Sequence, residues 1–271
     1  MTMKLEHTIQ VLCKAWRAAE KELEDEVAQF NPGSGEEGIT ERLFAILQKA
    51  LGAASNDGLI ASAFSEDLAE AHPDIQINRT QILSQGLIAE VLHNRSLEGR
   101  KTGADFGLIL TSPEVERSGG QLHISQNRNG LLCQAKLKKQ TWGQLTASQI
   151  KILPEHMKYL AIPLYTYDDG EYRKLCLGKW FNCKGSSVDK INKHLRTDFR
   201  RARLKSSTDI LTGLALGKLG TQKSEIIDEF IAPKGNRNFE LRIWWGDKDE
   251  CFSETINSAT ELEVTVTQDQ F

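Results

Sequence analysis

The sequence lacks the cysteine and histidine spacings that are typical of zinc sites. Its 271 residues include five cysteines, an odd number. None of them forms a CxxC pair or stands with histidine at zinc-finger spacing. We therefore expect reduced thiols, as in a cytoplasmic protein. The six histidines show neither HxH nor HExxH spacing, so none is predicted to bind a metal.

Long hydrophobic runs are missing as well. No stretch of about 18 uncharged apolar residues occurs, and Lys4, Glu6 and Lys14 interrupt the apolar N-terminal segment. We expect neither a signal peptide nor a membrane span. Internal repeats and low-complexity linkers are also absent, which favours one main domain. The net charge of -3 neither favours nor excludes DNA, because locally clustered Lys and Arg could supply the contact.

Helical spacing of apolar residues dominates the first third of the chain. Apolar residues recur every three or four positions among charged ones, which is typical of amphipathic helices. The pattern predicts helices over residues 5–30, 36–51 and 80–93, with a turn at 31–35 and a loop at 65–79.

Short apolar runs bounded by Gly, Ser, Pro and Asn begin near Lys101 and are typical of strands. They predict strands at 104–110, 121–125, 131–137, 160–167, 173–181, 239–245 and 262–267. Helical patterns lie at 144–159, where Pro154 should end or kink the helix, and at 188–204 and 210–219. This mixture of helices and strands indicates an α/β fold with a mixed sheet.

Three polar residues on two of these strands carry the candidate chemistry. Asp105 opens an apolar strand in TGADFGLIL, and Gln134 and Lys136 follow in GLLCQAKLKK. Residues two apart in a strand point to the same face, so Gln134 and Lys136 should emerge together. If the two strands pair as a hairpin, Asp105 reaches the same rim. A carboxylate, an amide oxygen and an ammonium would then converge on one point.

This ordered set resembles the PD-(D/E)XK nuclease superfamily, whose pattern is a helical Glu, an Asp opening one strand and (E/Q)xK on the next. The resemblance covers roughly residues 36–167. It implies a restriction-endonuclease-like α/β core, with a central mixed sheet flanked by helices. The implied parts are an N-terminal helix at 1–30, the nuclease core at 31–170, and a C-terminal α+β elaboration of the same domain at 171–271.

The resemblance implies Mg²⁺-dependent hydrolysis of phosphodiester bonds in DNA, with Mn²⁺ as an alternative ion. Asp105, Gln134 and the backbone carbonyl of Ala135 would bind the metal. Lys136 would position the attacking water and stabilise negative charge on the phosphoryl oxygens. Two departures from the commonest pattern are Ala104, in place of Pro before the aspartate, and Gln134, in place of the second acid.

An acid on the second predicted helix would complete the catalytic set. Glu37 and Glu41 lie one helical turn apart on one face, and Glu41 is slightly favoured as the additional metal ligand. Acids at a helix N-terminus are also favoured by the macrodipole, an interpretation that applies to Glu36 and Glu37. For Gln134 and Lys136 the alternative is an edge strand whose polar face meets solvent.

Basic residues elsewhere are candidates for contact with a phosphate backbone. Most of them lie at 190–205, in KINKHLRTDFRRARLK, where a solvated helix face is the alternative. Gln149, in the helix after the QAK strand, would either contact nucleic acid or orient its own helix. The predicted nucleic-acid contacts are Lys138, Gln149, Arg196, Arg200, Arg201 and Arg203.

Two functions of different classes follow from these residues. The first is an Mg²⁺-dependent endonuclease acting on DNA, similar to nuclease subunits of bacterial antiphage systems. A helicase, ATPase or sensor protein would control it, because no such domain fits in the remaining length. The second is a non-catalytic module on the same fold that binds nucleic acid or a partner, and a nuclease directed at RNA is a further alternative. Gln134 keeps the second function open, whereas Asp105 and Lys136 favour the first.

Overall fold

A computed structural model describes most of the chain. The described residues are 6–29, 35–56, 70, 87–93, 104–118, 121–138, 143–147, 149–151, 157–167, 174–197, 204–223, 239–245 and 262–264. Among them, no helix combines the length and the apolar character that crossing a membrane requires.

The described segments contain four α-helices: α1 (Glu6–Gln29), α2 (Glu36–Asn56), α3 (Val188–Arg196) and α4 (Ser207–Ala215). The first two confirm the predicted helices at 5–30 and 36–51. Helix α3 ends well before the predicted residue 204, and Thr197 caps it by donating its N–H to the carbonyls of the last turn. Helix α4 begins at a capping box of Ser206 and Asp209.

Nine strands lie in the described segments: β1 (Leu87–His93), β2 (Phe106–Ser118), β3 (Gln121–Cys133), β4 (Lys136–Lys138), β5 (Leu160–Tyr167), β6 (Leu175–Asn182), β7 (Lys205–Ser206), β8 (Phe239–Trp245) and β9 (Leu262–Val264). Seven of them form one sheet in the order β2-β3-β5-β6-β7, with β4 beside β5 and β9 beside β3. Strands β3 and β4 run parallel to β5, whereas the other pairs are antiparallel. The predicted α/β fold with a mixed sheet is therefore confirmed.

Three predictions about the elements were wrong. Residues 87–93 form β1, not the end of a helix at 80–93, and pair with β8 as a separate two-stranded sheet. The run LIAEVLH is too short for its hydrophobic period to distinguish a strand from a helix, so its secondary structure depends on pairing with β8. The predicted strands at 121–125 and 131–137 are instead the continuous β3 and the short β4. Of the helix predicted at 144–159, residues 147 and 149–151 are helical, whereas Met157–Tyr159 form a 3₁₀ turn.

Alternation along the strands buries both faces of the seven-stranded sheet. On β2, Phe106, Leu108 and Leu110 pack in one core cluster with residues of α1, α2 and α4, while Ile109 packs in the other with residues of α3. Helices therefore flank the sheet on two sides. The first cluster contains residues from all three predicted ranges, 1–30, 31–170 and 171–271.

Glu20 of α1 is a carboxyl group buried between helices. Its Oε1 accepts a hydrogen bond from Trp16 Nε1 at 3.0 Å, and its Oε2 accepts one from Ser207 Oγ at 2.8 Å. Burial raises the pKa of Glu20 to about 7, although both hydrogen bonds act in the opposite direction. The folded protein therefore binds this proton more tightly than the unfolded chain, whose glutamate has a pKa near 4.5. Stability from this group falls as pH rises from about 4.5 to 7.

We expect Glu20→Gln to stabilise the protein at pH 8 by on the order of 1–3 kcal/mol. The neutral amide keeps both hydrogen-bonding partners and removes the buried charge, so the gain should fade near pH 4.5. Urea denaturation of both proteins at several pH values measures it. Glu22→Gln, on the exposed face of α1, is the matched control and should change stability little. A gain that is the same at pH 5 and pH 8 would show that charge is not its cause.

Candidate active site

The hairpin of β2 and β3 brings Asp105 beside Gln134. Phe106 pairs with Cys133, and the N–H of Asp105 donates to the Cys133 carbonyl at 2.9 Å. Gln134 Nε2 in turn donates to Asp105 Oδ1 at 2.5 Å. The hairpin on which the convergence of these residues depends is thus present, and a direct hydrogen bond joins Asp105 to Gln134.

The QAK segment lies inside the protein. Gln134 and Ala135 separate β3 from β4, and the N–H of Gln134 donates to the Ala161 carbonyl of β5 at 3.1 Å. Gln134 is 1% exposed and Lys136 is 4% exposed. An edge strand with its polar face in water would leave both side chains exposed, so that alternative does not describe this segment.

Lys136 forms an ion pair with the first residue of α2. Its Nζ lies 3.3 Å from Glu36 Oε1, and the backbone N–H of Leu137 donates to Glu36 Oε2 at 2.9 Å. The Lys136 side chain is almost fully buried, whereas that of Glu36 is 28% exposed. A buried ammonium needs a partner of opposite charge, because transfer from water without one is costly. Glu36 supplies that charge at the start of α2.

The acid that the structure brings to Lys136 is therefore Glu36, which the sequence interpretation had assigned to the macrodipole. Glu41, the favoured candidate, is five residues further on and lies roughly 140° around the helix from Glu36. The side chain of Glu37 is outside the described part of the molecule. Sequence spacing could not select Glu36, because its two partners lie 100 and 101 residues away.

Tyr165 fixes the first turn of α2 against the sheet. Thr40 Oγ1 donates to the Glu36 carbonyl at 2.9 Å and lies 3.1 Å from Tyr165 Oη. Burial raises the pKa of Tyr165 above its usual value, and the carboxylates of Asp105 and Glu36 raise it further. Tyr165 therefore stays protonated, and its hydroxyl remains a stable anchor for the turn that carries Glu36.

Gln149 extends the network behind Gln134. Its Nε2 donates to Gln134 Oε1 at 3.0 Å, and its Oε1 accepts the N–H of Thr146 at 2.9 Å. Thr146 Oγ1 accepts the N–H of Gln149 in return, at 3.3 Å. This reciprocal pair is a capping box. Gln149 is 6% exposed, so the structure places it inside the site and not on a surface where nucleic acid would bind.

Thr146 is the member of this network that sequence reasoning missed. A signal for it was available, because TASQ at 146–149 has the spacing of a capping box before a helical run. That signature fixes the side chain of the fourth residue against the backbone of the first. It would have predicted that Gln149 is held in place.

No protein-family model, curated protein or solved structure matches the chain. Two groups of polar residues lie at the break between β3 and β4. Hydrogen bonds join Asp105, Gln134 and Gln149, and an ion pair joins Lys136 to Glu36.

The predicted metal ligands fit a cation only in part. Mg²⁺ requires one or two carboxylates, with water and phosphate oxygens as the other ligands. Both carboxylate oxygens of Glu36 accept hydrogen bonds, from Lys136 and from the Leu137 N–H. Asp105 meets the requirement for a carboxylate, since its Oδ2 is buried in the site. Gln134 does not fit a cation, because its amide nitrogen, not its oxygen, faces Asp105. The described residues contain no cluster of three or more His, Cys, Asp or Glu that could hold a metal.

The predicted nucleic-acid contacts are only partly described. Lys138 ends β4 and is half-buried, and Arg196 is exposed at the end of α3. Helix α3 packs on the same side of the sheet as Leu145, which precedes the Thr146 capping box. Three arginines of the prediction, Arg200, Arg201 and Arg203, lie outside the described residues.

Proposed function

We propose that this protein is a metal-dependent nuclease that hydrolyses phosphodiester bonds in DNA on a restriction-endonuclease-like core. The observation that carries the proposal is the buried ammonium of Lys136, 3.3 Å from Glu36, on the strand that follows Gln134, the hydrogen-bonding partner of Asp105. Burying a lysine, even beside a carboxylate, costs solvation that a purely structural core would avoid by using apolar residues. Such clusters of ionisable groups are typical of sites that act on charged substrates.

The roles proposed for the side chains follow from their charges. Lys136 binds a phosphoryl oxygen and stabilises the negative charge that develops there during hydrolysis. Glu36 holds the Lys136 side chain extended before the substrate arrives. Asp105, with Glu36, would hold the divalent cation. When bound, that cation neutralises charge on the scissile phosphate and lowers the pKa of a water molecule.

The test is cleavage of supercoiled and linear DNA by the purified protein in Mg²⁺ or Mn²⁺, with EDTA as control. We expect nicked or shortened DNA with either ion and none with EDTA, because the two carboxylates need a cation to approach a phosphate. A parallel assay with single-stranded and duplex RNA separates the two substrate classes. Intact DNA with every metal and every substrate form would contradict the proposal.

A second candidate function is a non-catalytic module that binds nucleic acid. The observation that favours it is the closed set of contacts: Glu36 binds both Lys136 and the Leu137 N–H, and Gln134 binds both Asp105 and Gln149. Fluorescence anisotropy with labelled DNA distinguishes the two functions. Salt-sensitive binding without cleavage would favour the module.

The setting proposed for the nuclease comes from the resemblance to PD-(D/E)XK enzymes. We propose bacterial antiphage defence, with activity controlled by a helicase, ATPase or sensor partner. Activity of the purified chain should then rise when the partner is added. Full and regulated activity of the chain alone would count against such control.

A further inference from the structure

Three consecutive hydrogen bonds connect the backbone at Thr146 to the carboxylate of Asp105. The Thr146 N–H donates to Gln149 Oε1 at 2.9 Å, Gln149 Nε2 donates to Gln134 Oε1 at 3.0 Å, and Gln134 Nε2 donates to Asp105 Oδ1 at 2.5 Å. We name this chain of four residues the amide relay. Every bond in it points in the same direction, from the backbone towards the carboxylate.

The direction of the amide relay is imposed at its first bond. A backbone N–H can only donate, so Gln149 must present its oxygen to Thr146 and its NH₂ group to Gln134. Gln134 must then present its oxygen to Gln149 and its NH₂ group to Asp105. Rotating either amide by 180° would place two donors or two acceptors face to face. Because Gln134 and Gln149 are 1% and 6% exposed, water could not relieve that conflict.

We propose that Gln134 and Gln149 are positioning residues whose amide relay supplies Asp105 with a hydrogen-bond donor. Gln134 therefore does not bind a cation through its amide oxygen, which is the role that the QxK pattern implies. The donated hydrogen bond fixes the position of one oxygen of Asp105, while Oδ2 is buried in the site. This inference rests on the proposed function in one respect, the catalytic use of Asp105.

The decisive variant is Gln149→Glu. A neutral carboxyl group keeps the order of the amide relay, since its C=O accepts from Thr146 and its O–H donates to Gln134. An ionised carboxylate can only accept, so it breaks the bond to Gln134. Burial favours the neutral form, so the pKa of the introduced carboxyl group should lie above that of an exposed glutamate. In this variant the hydrogen bond from residue 149 to Gln134 should form at low pH and break at high pH. Wild type has no titratable group at this position.

The first readout is the side-chain amide NMR signal of Gln134 in ¹⁵N-labelled, metal-free protein. It is assigned as the signal that disappears in Gln134→Met. In Gln149→Glu we expect this signal to match wild type at about pH 5.5 and to move away from it by about pH 9. The Gln134 signal should also move in a protein whose only substitution is Asp105→Asn. The second readout is cleavage, which should fall at least about tenfold over the same pH range in the variant relative to wild type.

The matched control is Gln144→Glu, which introduces the same charge at an exposed position of the same segment. Its Gln134 signal and its pH profile should follow wild type. The amide relay would be overturned if the Gln134 signal did not change with pH in Gln149→Glu, or did not change in Asp105→Asn.

If Gln149→Glu does not fold, Gln149→Met removes the same donor without charge and should also shift the Gln134 signal. An unchanged signal would overturn the proposal. The NMR readout needs neither metal nor DNA. Absence of cleavage would therefore contradict the proposed nuclease activity, whereas the NMR signal would still test the amide relay.

Discussion

Lys136→Met should lower metal-dependent DNA cleavage by about 10²–10³-fold, since removing one preorganised donor from a charge-stabilising site has effects of that size. Methionine has a similar length and keeps the buried packing. The carboxylate left behind, Glu36, is 28% exposed and still accepts the Leu137 N–H, so the fold should survive. Cleavage rates and thermal denaturation of the same preparation measure both effects.

Lys49→Met is the matched control for this prediction. Lys49 is an exposed residue of α2, paired with Glu22 across 3.9 Å, and lies about 20 Å along the helix from Glu36. The Lys49→Met protein should cleave DNA at the wild-type rate. A Lys136→Met protein that is folded and retains cleavage within threefold of wild type would exclude Lys136 from the chemistry.

Asp105→Asn should cause a loss of similar size, at least about 10²-fold, because the cation would lose the main carboxylate that holds it. Asparagine keeps an oxygen for the Gln134 Nε2–H bond, so the change removes charge with little loss of packing. Raising the Mg²⁺ concentration should restore only part of the activity. Direct titration with Mn²⁺ should show weaker binding, a readout that does not depend on cleavage.

The control for Asp105→Asn is Asp25→Asn, which removes the same charge from an exposed position on α1. Its cleavage and its Mn²⁺ affinity should equal those of wild type. If Asp105→Asn binds Mn²⁺ as tightly as wild type, the cation is held elsewhere and the proposed role of Asp105 is wrong.

Strong periodicity explains which elements could be predicted from the sequence. Strands β5 and β8 have the predicted bounds, and α1 and α2 begin within one residue of prediction. Both helices bury a face of regular spacing, and the apolar run of β5 is buried over its first six residues. The strand at 87–93 was mistaken for a helix, since its identity depends on pairing with β8, far away in the sequence. Local pattern cannot carry that information.

Within the candidate site, some residues could likewise be predicted from local sequence and others could not. Asp105 and Gln134 could be brought together from the sequence by assuming a hairpin, which is a local rule. Glu36 could not, because helix α2 meets β4 only in the folded chain. The direction in which Gln134 presents its amide also depends on a distant group, the Thr146 N–H. Residue type and spacing identify candidate residues but do not show which atom of each one faces the site.

The contact between Glu20 and Ser207 has a consequence for synthesis, since it joins residues 187 positions apart. At about 5–20 residues per second, a ribosome needs roughly 10–40 s to reach Ser207 after it has added Glu20. Throughout that interval the face of α1 that carries Cys13 and Glu20 lacks its partners on α4, which include Thr212 and Ser207. The nascent chain must therefore keep this face shielded, by collapse or by a chaperone, until α4 has left the ribosome.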